Sequence, residues 1–211
     1  MTREFILLAL KAKTSPDFDI NRLVEEGRLD LVCRCVSNAL YVSMKLRKDT
    51  NIHICLNGAP SEQSPKIISF IGSELAGLEP SEKDIALAIK EALKQGLNLE
   101  LGEEKNVESS IRGIKVSKKA FETLVKEKSE TSMLFYLDEK GKDIRDIDFN
   151  IKTDPNKNYS FILGDFIGIP KNTEKLLKRL GAEKINLGPV MLFASHCIIL
   201  VNNELDRQEF Y

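Results

Sequence analysis

Residues 4–10 (EFILLAL) are apolar without a break after Glu4, the pattern of a strand buried on both faces. A polar loop, 11–19, follows. From 28 to 47 the period changes. Leu29, Val32, Val36, Ala39, Leu40, Ser43 and Leu46 recur at three- and four-residue spacing, which predicts one long helix with a single buried face. Two strands are expected at 51–57 and 66–72, joined by a loop with Gly58, Pro60 and Pro65. Ser81 and Asp84 read as a capping pair for a helix over 85–94 that Gly96 ends. Short extended pieces are expected over 97–116, then a helix capped by Ser117 and running through 126. A strand at 133–137 gives way to polar, irregular chain over 138–158. After it come a strand at 159–163, a helix at 173–180 and a short strand at 184–187. Leu192, Cys197, Ile198, Val201 and Leu205 predict a last helix, although CIILV alone also fits a strand. Strands alternating with helices predict an α/β fold with a largely parallel sheet. No internal repeat, low-complexity tract or linker interrupts the 211 residues, so one domain over 1–211 is expected.

Composition narrows the classes. The longest apolar runs fall far short of the ~20 residues of a membrane helix, and the N-terminus, with Glu4 ahead of the apolar run and no small-residue cleavage site after it, does not read as a signal peptide. A cytoplasmic protein that avoids membranes is expected. The net charge of −1 excludes a histone-like polycation but not a local basic face for RNA. Charge is uneven: residues 1–58 hold nine basic and seven acidic groups, 74–110 hold four and nine, and 111–135 hold six and three. Cys33 and Cys35, on a helix, point about 200° apart and do not chelate one metal together. No zinc site is expected; the four cysteines read as reduced thiols, with a disulfide the lesser alternative. There is no GxxxxGK[ST], no GxGxxG after a strand, no GxSxG and no HExxH, which disfavours those enzyme classes.

Three strand-end loops hold the most chemical information: 137–141 (LDEKG), 163–170 (LGDFIGIP) and 186–192 (NLGPVML). In an open α/β sheet, ligands bind beyond the carboxyl ends of strands. Glycines there allow close backbone approach, and Leu, Val and Met form an apolar slot whose free backbone groups read the edge of a flat ring such as adenine. Ordinary βα turns punctuated by Gly and Pro are the plainer alternative.

LGDFIGIP and the later INLGPVMLFASHCIILVNNELDR (185–207) resemble the C-terminal part of the SPOUT class of RNA methyltransferases. Adding TSPDF (14–18), GRLDLVCRCVSNAL (27–40) and GSELAGLEPSEKD (72–84), nearly the whole chain is similar to the archaeal tRNA (pseudouridine-54) N1-methyltransferase family, itself related to ribosomal pseudouridine N1-methyltransferases. The resemblance implies a SPOUT-like, mostly parallel sheet flanked by helices, a C-terminal trefoil knot, a homodimer and S-adenosylmethionine bound in the knot. It implies a cofactor site at Leu137, Gly164, Leu187, Gly188, Pro189, Val190, Met191, Leu192 and Cys197, where Cys197 is equally well a buried helix thiol. The implied substrate is the T-arm of tRNA, not DNA. Methylation of N1 calls for a proton acceptor or a cation, and Asp30 and Arg34 are the catalytic candidates, one helical turn apart and equally fit to be a structural ion pair. Arg28, Arg34 and Arg112 are candidate phosphate contacts. Phe18 is a candidate to replace a flipped base in its stack, or else a core anchor of its loop. Ribosomal RNA methylation and a non-catalytic RNA or nucleotide-binding module are the competing readings.

Overall fold

The structure is a computed structural model that describes the chain except residues 44, 62, 150–153, 155 and 211, and the side chain of Phe210. In chain order the elements are β1 (Arg3–Ala9), α1 (Leu29–Leu40), β2 (Tyr41–Val42), β3 (Lys45–Leu46), β4 (Thr50–Leu56), β5 (Lys66–Ile71), α2 (Glu82–Gln95), β6 (Glu104–Asn106), β7 (Ile114–Ser117), α3 (Phe121–Ser129), β8 (Met133–Asp143), a 3-10 turn (Ile144–Asp146), β9 (Tyr159–Gly164), α4 (Lys171–Arg179), β10 (Glu183–Asn186) and α5 (Ala194–Phe210). Eight strands form one sheet in the order β10-β8-β9-β1-β4-β5-β7-β6. The five strands from β10 to β4 are parallel, and β5, β7 and β6 continue the sheet antiparallel.

The unbroken apolar run of β1 has the cause its sequence suggests. It lies between β9 and β4, with Phe5, Leu7 and Ala9 facing one helical layer and Ile6 and Leu8 the other. The larger core joins that first face to α1, α2 and α5; the smaller joins the second to α3 and α4 through Phe121, Leu124, Val125 and Leu177. Phe135, Phe149, Tyr159 and Phe161 stack and edge-pack in the larger core, with centroid spacings of 5.3–6.4 Å.

Several expectations change. The helix expected over 28–47 stops at Leu40, because Ser43 adopts φ 51° and turns the chain into the β2–β3 hairpin. Ser117 is buried in β7 rather than capping a helix, and Ala120 precedes α3. β8 does not end at 137; its polar second half, to Asp143, pairs with β10 at Ile185 and Asn186. The irregular stretch expected over 138–158 lies partly outside the described residues. The Ser81 cap holds: its Oγ accepts the Asp84 N–H at 3.1 Å.

At the end of the sheet where β1 and β4 begin, α5 is fastened down by charge. Arg3, 1% exposed, donates to Asp206, to Glu209 at 2.8 Å, and pairs with Asp49 at 3.1 Å; Arg47 grips Asp206 at 2.6 and 2.9 Å. Nearby, buried Glu4 binds Lys128, and Ser160 donates to it at 3.1 Å. Burial would raise the Glu4 carboxyl, but His53 and Lys128 outweigh it and bring it to about 2.

Candidate active site at the carboxyl ends of the strands

At the opposite end, β1, β8, β9 and β10 deliver their carboxyl termini to one rim. β9 ends in Gly164, and the next residues fold back so tightly that a Cβ there would overlap the backbone of Gly168. Asp165 fixes this fold-back. It is 7% exposed and accepts the N–H groups of Leu10 and Ile167, each at 2.8 Å. Burial pushes its carboxyl up, against those bonds. Asp165 thus ties the end of β1 to the loop after β9. The loop raises Phe166 and Ile167 to the surface, about half exposed.

The loop after β10 is built to stay open. Gly188 has φ 120°, a conformation only glycine adopts readily, and its N–H is held by the Asn186 side chain at 3.0 Å. Pro189, Val190 and Met191 are exposed, Met191 at 83%. Among the described residues the backbone N–H groups of Val190, Met191 and Leu192 have no partner. Leu137, Leu187 and Cys197 pack half-buried against the edge of the larger core. Burial raises the Cys197 thiol to about 11, so it is a neutral apolar wall group and not a thiolate. The structure therefore brings all nine expected cofactor residues to one rim.

α1 starts at the same rim. Arg28 takes a left-handed turn, φ 65°, just after Gly27, and lays its guanidinium 5.7 Å from the centroid of Phe166. Asp30 is 5% exposed and accepts two bonds from Arg28, at 2.9 and 3.1 Å, and one from Arg34, at 2.6 Å. Burial alone would raise its carboxyl; the two guanidiniums outweigh that and hold it below the ordinary carboxylate range. Arg34 also meets Glu82 at 3.2 Å.

Two candidates fall elsewhere. Phe18 is 1% exposed, with Lys90 bonded to its carbonyl at 2.8 Å and lying over its ring, so it anchors its loop and presents no stacking face. The exposed rings at the rim are Phe166 and Phe193, at 53% and 63%; both stand in the quoted segments, but sequence gives no sign of which aromatic reaches solvent. Arg112 lies at the far end of the sheet, beside the ends of β5 and β6 and the start of β7. Among the described residues no cluster of His, Cys, Asp and Glu suits a metal ion, and no helix is long and apolar enough to cross a membrane.

The rim thus combines a glycine fold-back, half-buried apolar residues beside amides that have no partner among the described residues, and a paired-arginine helix start. The chain belongs to the family described as "putative SAM-dependent RNA methyltransferase", whose profile matches residues 2–210. It is 42% identical over 207 residues to the tRNA (pseudouridine(54)-N(1))-methyltransferase of Methanococcus maripaludis, covering 97% of this chain and 98% of that one. The enzyme of the same name from Methanocaldococcus jannaschii is 39% identical over 208 residues, covering 98% and 97%. In fold the chain is similar to Archaeoglobus fulgidus Nep1, crystallised with S-adenosylhomocysteine. The TM-score is 0.66 at 13% identity, over the whole of both chains.

Proposed function

We propose that this protein transfers a methyl group from S-adenosylmethionine to N1 of pseudouridine 54 in the T-loop of tRNA. The full-length likeness, at 39–42% identity, to enzymes of that name carries the reading. The rim supports it. Leu137, Leu187 and Cys197 wall an apolar slot for the cofactor's adenosyl part. Gly164 lets the loop fold back onto Gly168 beside the slot, Gly188 and Pro189 shape the turn, and the amides of Val190, Met191 and Leu192 read a ring edge. The partnerless amides beside that slot are the fit the cofactor needs.

When bound, the cofactor supplies a methyl group already activated on a sulfonium, so transfer asks mainly for a positioned nucleophile. The protein's own residues provide the rest. Pseudouridine is joined to its sugar through carbon, so N1 keeps a proton that uridine lacks. Losing it leaves an anionic ring, which fixed cations stabilise. Arg28 and Arg34 are those cations, or the holders of the adjacent phosphate. Asp30 acts through them as a positioning residue: both its oxygens are engaged by guanidiniums, which leaves it a poor proton acceptor. Phe166, backed by Arg28, offers a face for the displaced base or its neighbour.

The assembly belongs to the same proposal. Residues 1–211 act as one cytoplasmic unit whose last strand and helix pass through a loop as a trefoil knot. Two copies pair through the exposed apolar residues Val190, Met191, Ile199 and Leu200. The test is methyl transfer from labelled cofactor to two tRNA transcripts, one with pseudouridine at 54 and one with uridine. Label on the pseudouridine transcript alone, placed on N1 by mass spectrometry, is expected. Label on both means another acceptor atom. Label on neither, with cofactor still bound, moves the reading to ribosomal RNA or to a binding module.

A further inference from the structure

A groove of about 570 Å³ opens at the end of the sheet away from the active-site rim. Arg112, Lys48, Ser73, Glu74 and Asn106 line it, with Leu75 in its floor. Arg112 is held only through its backbone, which bridges to Ala76; its guanidinium is exposed and has no partner among the described residues. The Lys48 ammonium donates to the Leu75 carbonyl at 2.8 Å, which fixes its direction and leaves further N–H groups free. The side chains of Ser73, Glu74 and Asn106 likewise have no partner among the described residues. The groove thus presents two cations, of which the Lys48 ammonium is partly engaged, and beside them a carboxylate, an amide and a hydroxyl without a partner among the described residues.

That set fits one ligand chemistry, a phosphate next to a sugar hydroxyl. The arginine fork and the ammonium take the phosphate. Glu74 repels a phosphate but accepts a bond from a ribose 2′-OH, the group that marks RNA. The groove is on the α1–α2 side of the sheet, since Leu75, Val107 and Ile114 belong to the same core as α1. Arg28 and Arg34 project from α1, near its start. One strand length, about 20 Å for seven residues, separates the two ends. That is several nucleotides of RNA, farther than a flipped base and its flanking phosphates extend.

The geometry points to a second RNA contact: the Lys48–Arg112 groove holds a phosphate–ribose unit of the same tRNA, outside the T-loop. This rests on the proposed function, and it deepens it, because it makes the enzyme a reader of folded tRNA rather than of an isolated loop.

The experiment compares the affinities of the wild-type protein, Arg112→Ala, Arg112→Glu and Lys48→Gln for a full-length tRNA transcript and for its isolated T-arm hairpin. Melting temperatures establish that each variant is folded. Binding needs no turnover, so the groove is tested even if the assigned methyl transfer fails. The wild type is expected to favour the full tRNA. Arg112→Ala should cut that preference by about tenfold and lower the salt slope for tRNA by about one phosphate contact, with Arg112→Glu cutting it further. Equal losses on tRNA and hairpin, or none on either, would overturn the proposal. So would tighter binding of free adenosine monophosphate than of tRNA, displaced by the same substitutions, because the groove would then be a nucleotide site.

Discussion

The two ends of the sheet solve opposite problems. Where β1 and β4 begin, the chain pairs its own charges: Arg3 binds three carboxylates, Arg47 grips Asp206, and Glu4 is ringed by His53, Lys128 and Ser160, although Arg3 Nε, Arg47 Nε and His53 Nε2 are buried without a hydrogen bond among the described residues. Where the parallel strands end, satisfaction is withheld. Among the described residues three successive amides have no partner, and Met191 and Phe193 stand in solvent. A molecule spends its own polar pairs on holding a fold and keeps them free where it binds something else. The groove at Arg112 is the exception at the satisfied end, and for that reason it reads as a site.

The sharpest way to break this contrast is at Gly164. Gly164→Val forces the loop off Gly168, and cofactor affinity by calorimetry should fall by at least about 100-fold, with methyl transfer falling in step. Next come the arginines. Arg28→Ala or Arg34→Ala should lower kcat on pseudouridine RNA by about 10²–10³, the loss seen for one stabilising donor, while calorimetry shows cofactor affinity unchanged. If affinity falls equally, the arginines belong to the cofactor site. At the other end, Asp206→Ala strips buried Arg3 and Arg47 of a shared partner. It should cost about 3–5 kcal/mol of stability in urea unfolding, with the residual folded protein keeping its cofactor affinity.

Acid should separate the ends more gently. Glu4 is lowered from 4.5 to about 2 in the folded chain, so its stabilisation is full above 4.5 and is lost as pH falls from there toward 2, about 3 kcal/mol at most. Burial also lowers the His53 pKa below 6.5, so its contribution starts to fall just below that pH. In Glu4→Gln, stability between pH 5 and 3 should fall less steeply than in the wild type. The smallest effect expected is that of EDTA, which should leave methyl transfer unchanged; a loss would reveal a metal.

Sequence exposed the rim better than it exposed the reach of the substrate. The apolar runs of β1, β4 and β9 and the strand-end glycines are local signals and pointed to the strand-end loops; the nine individual residues expected there came from the family resemblance. The end of α1 was missed because residues 41–47 keep helical spacing, while the turn at Ser43 is set by backbone geometry that spacing does not encode. The second half of β8 was missed because it is polar and half-exposed, which reads as loop. Phe18 and Phe166 have the same chemistry and opposite burial, decided by which helix covers them. Arg112 sits at a place that only the antiparallel half of the sheet reveals. The expectation of a knot came from family resemblance alone, since general rules of chain connection disfavour one.

On the proposed function the cofactor occupies the rim and not the opposite end of the sheet. Titrating S-adenosylhomocysteine into nitrogen-15-labelled protein tests it directly. The amide signals of Gly164, Val190, Met191 and Leu192 should shift, with those of Glu74, Ala76 and Gly113 still. Shifts gathered around the Arg112 groove, with the rim silent, would contradict it.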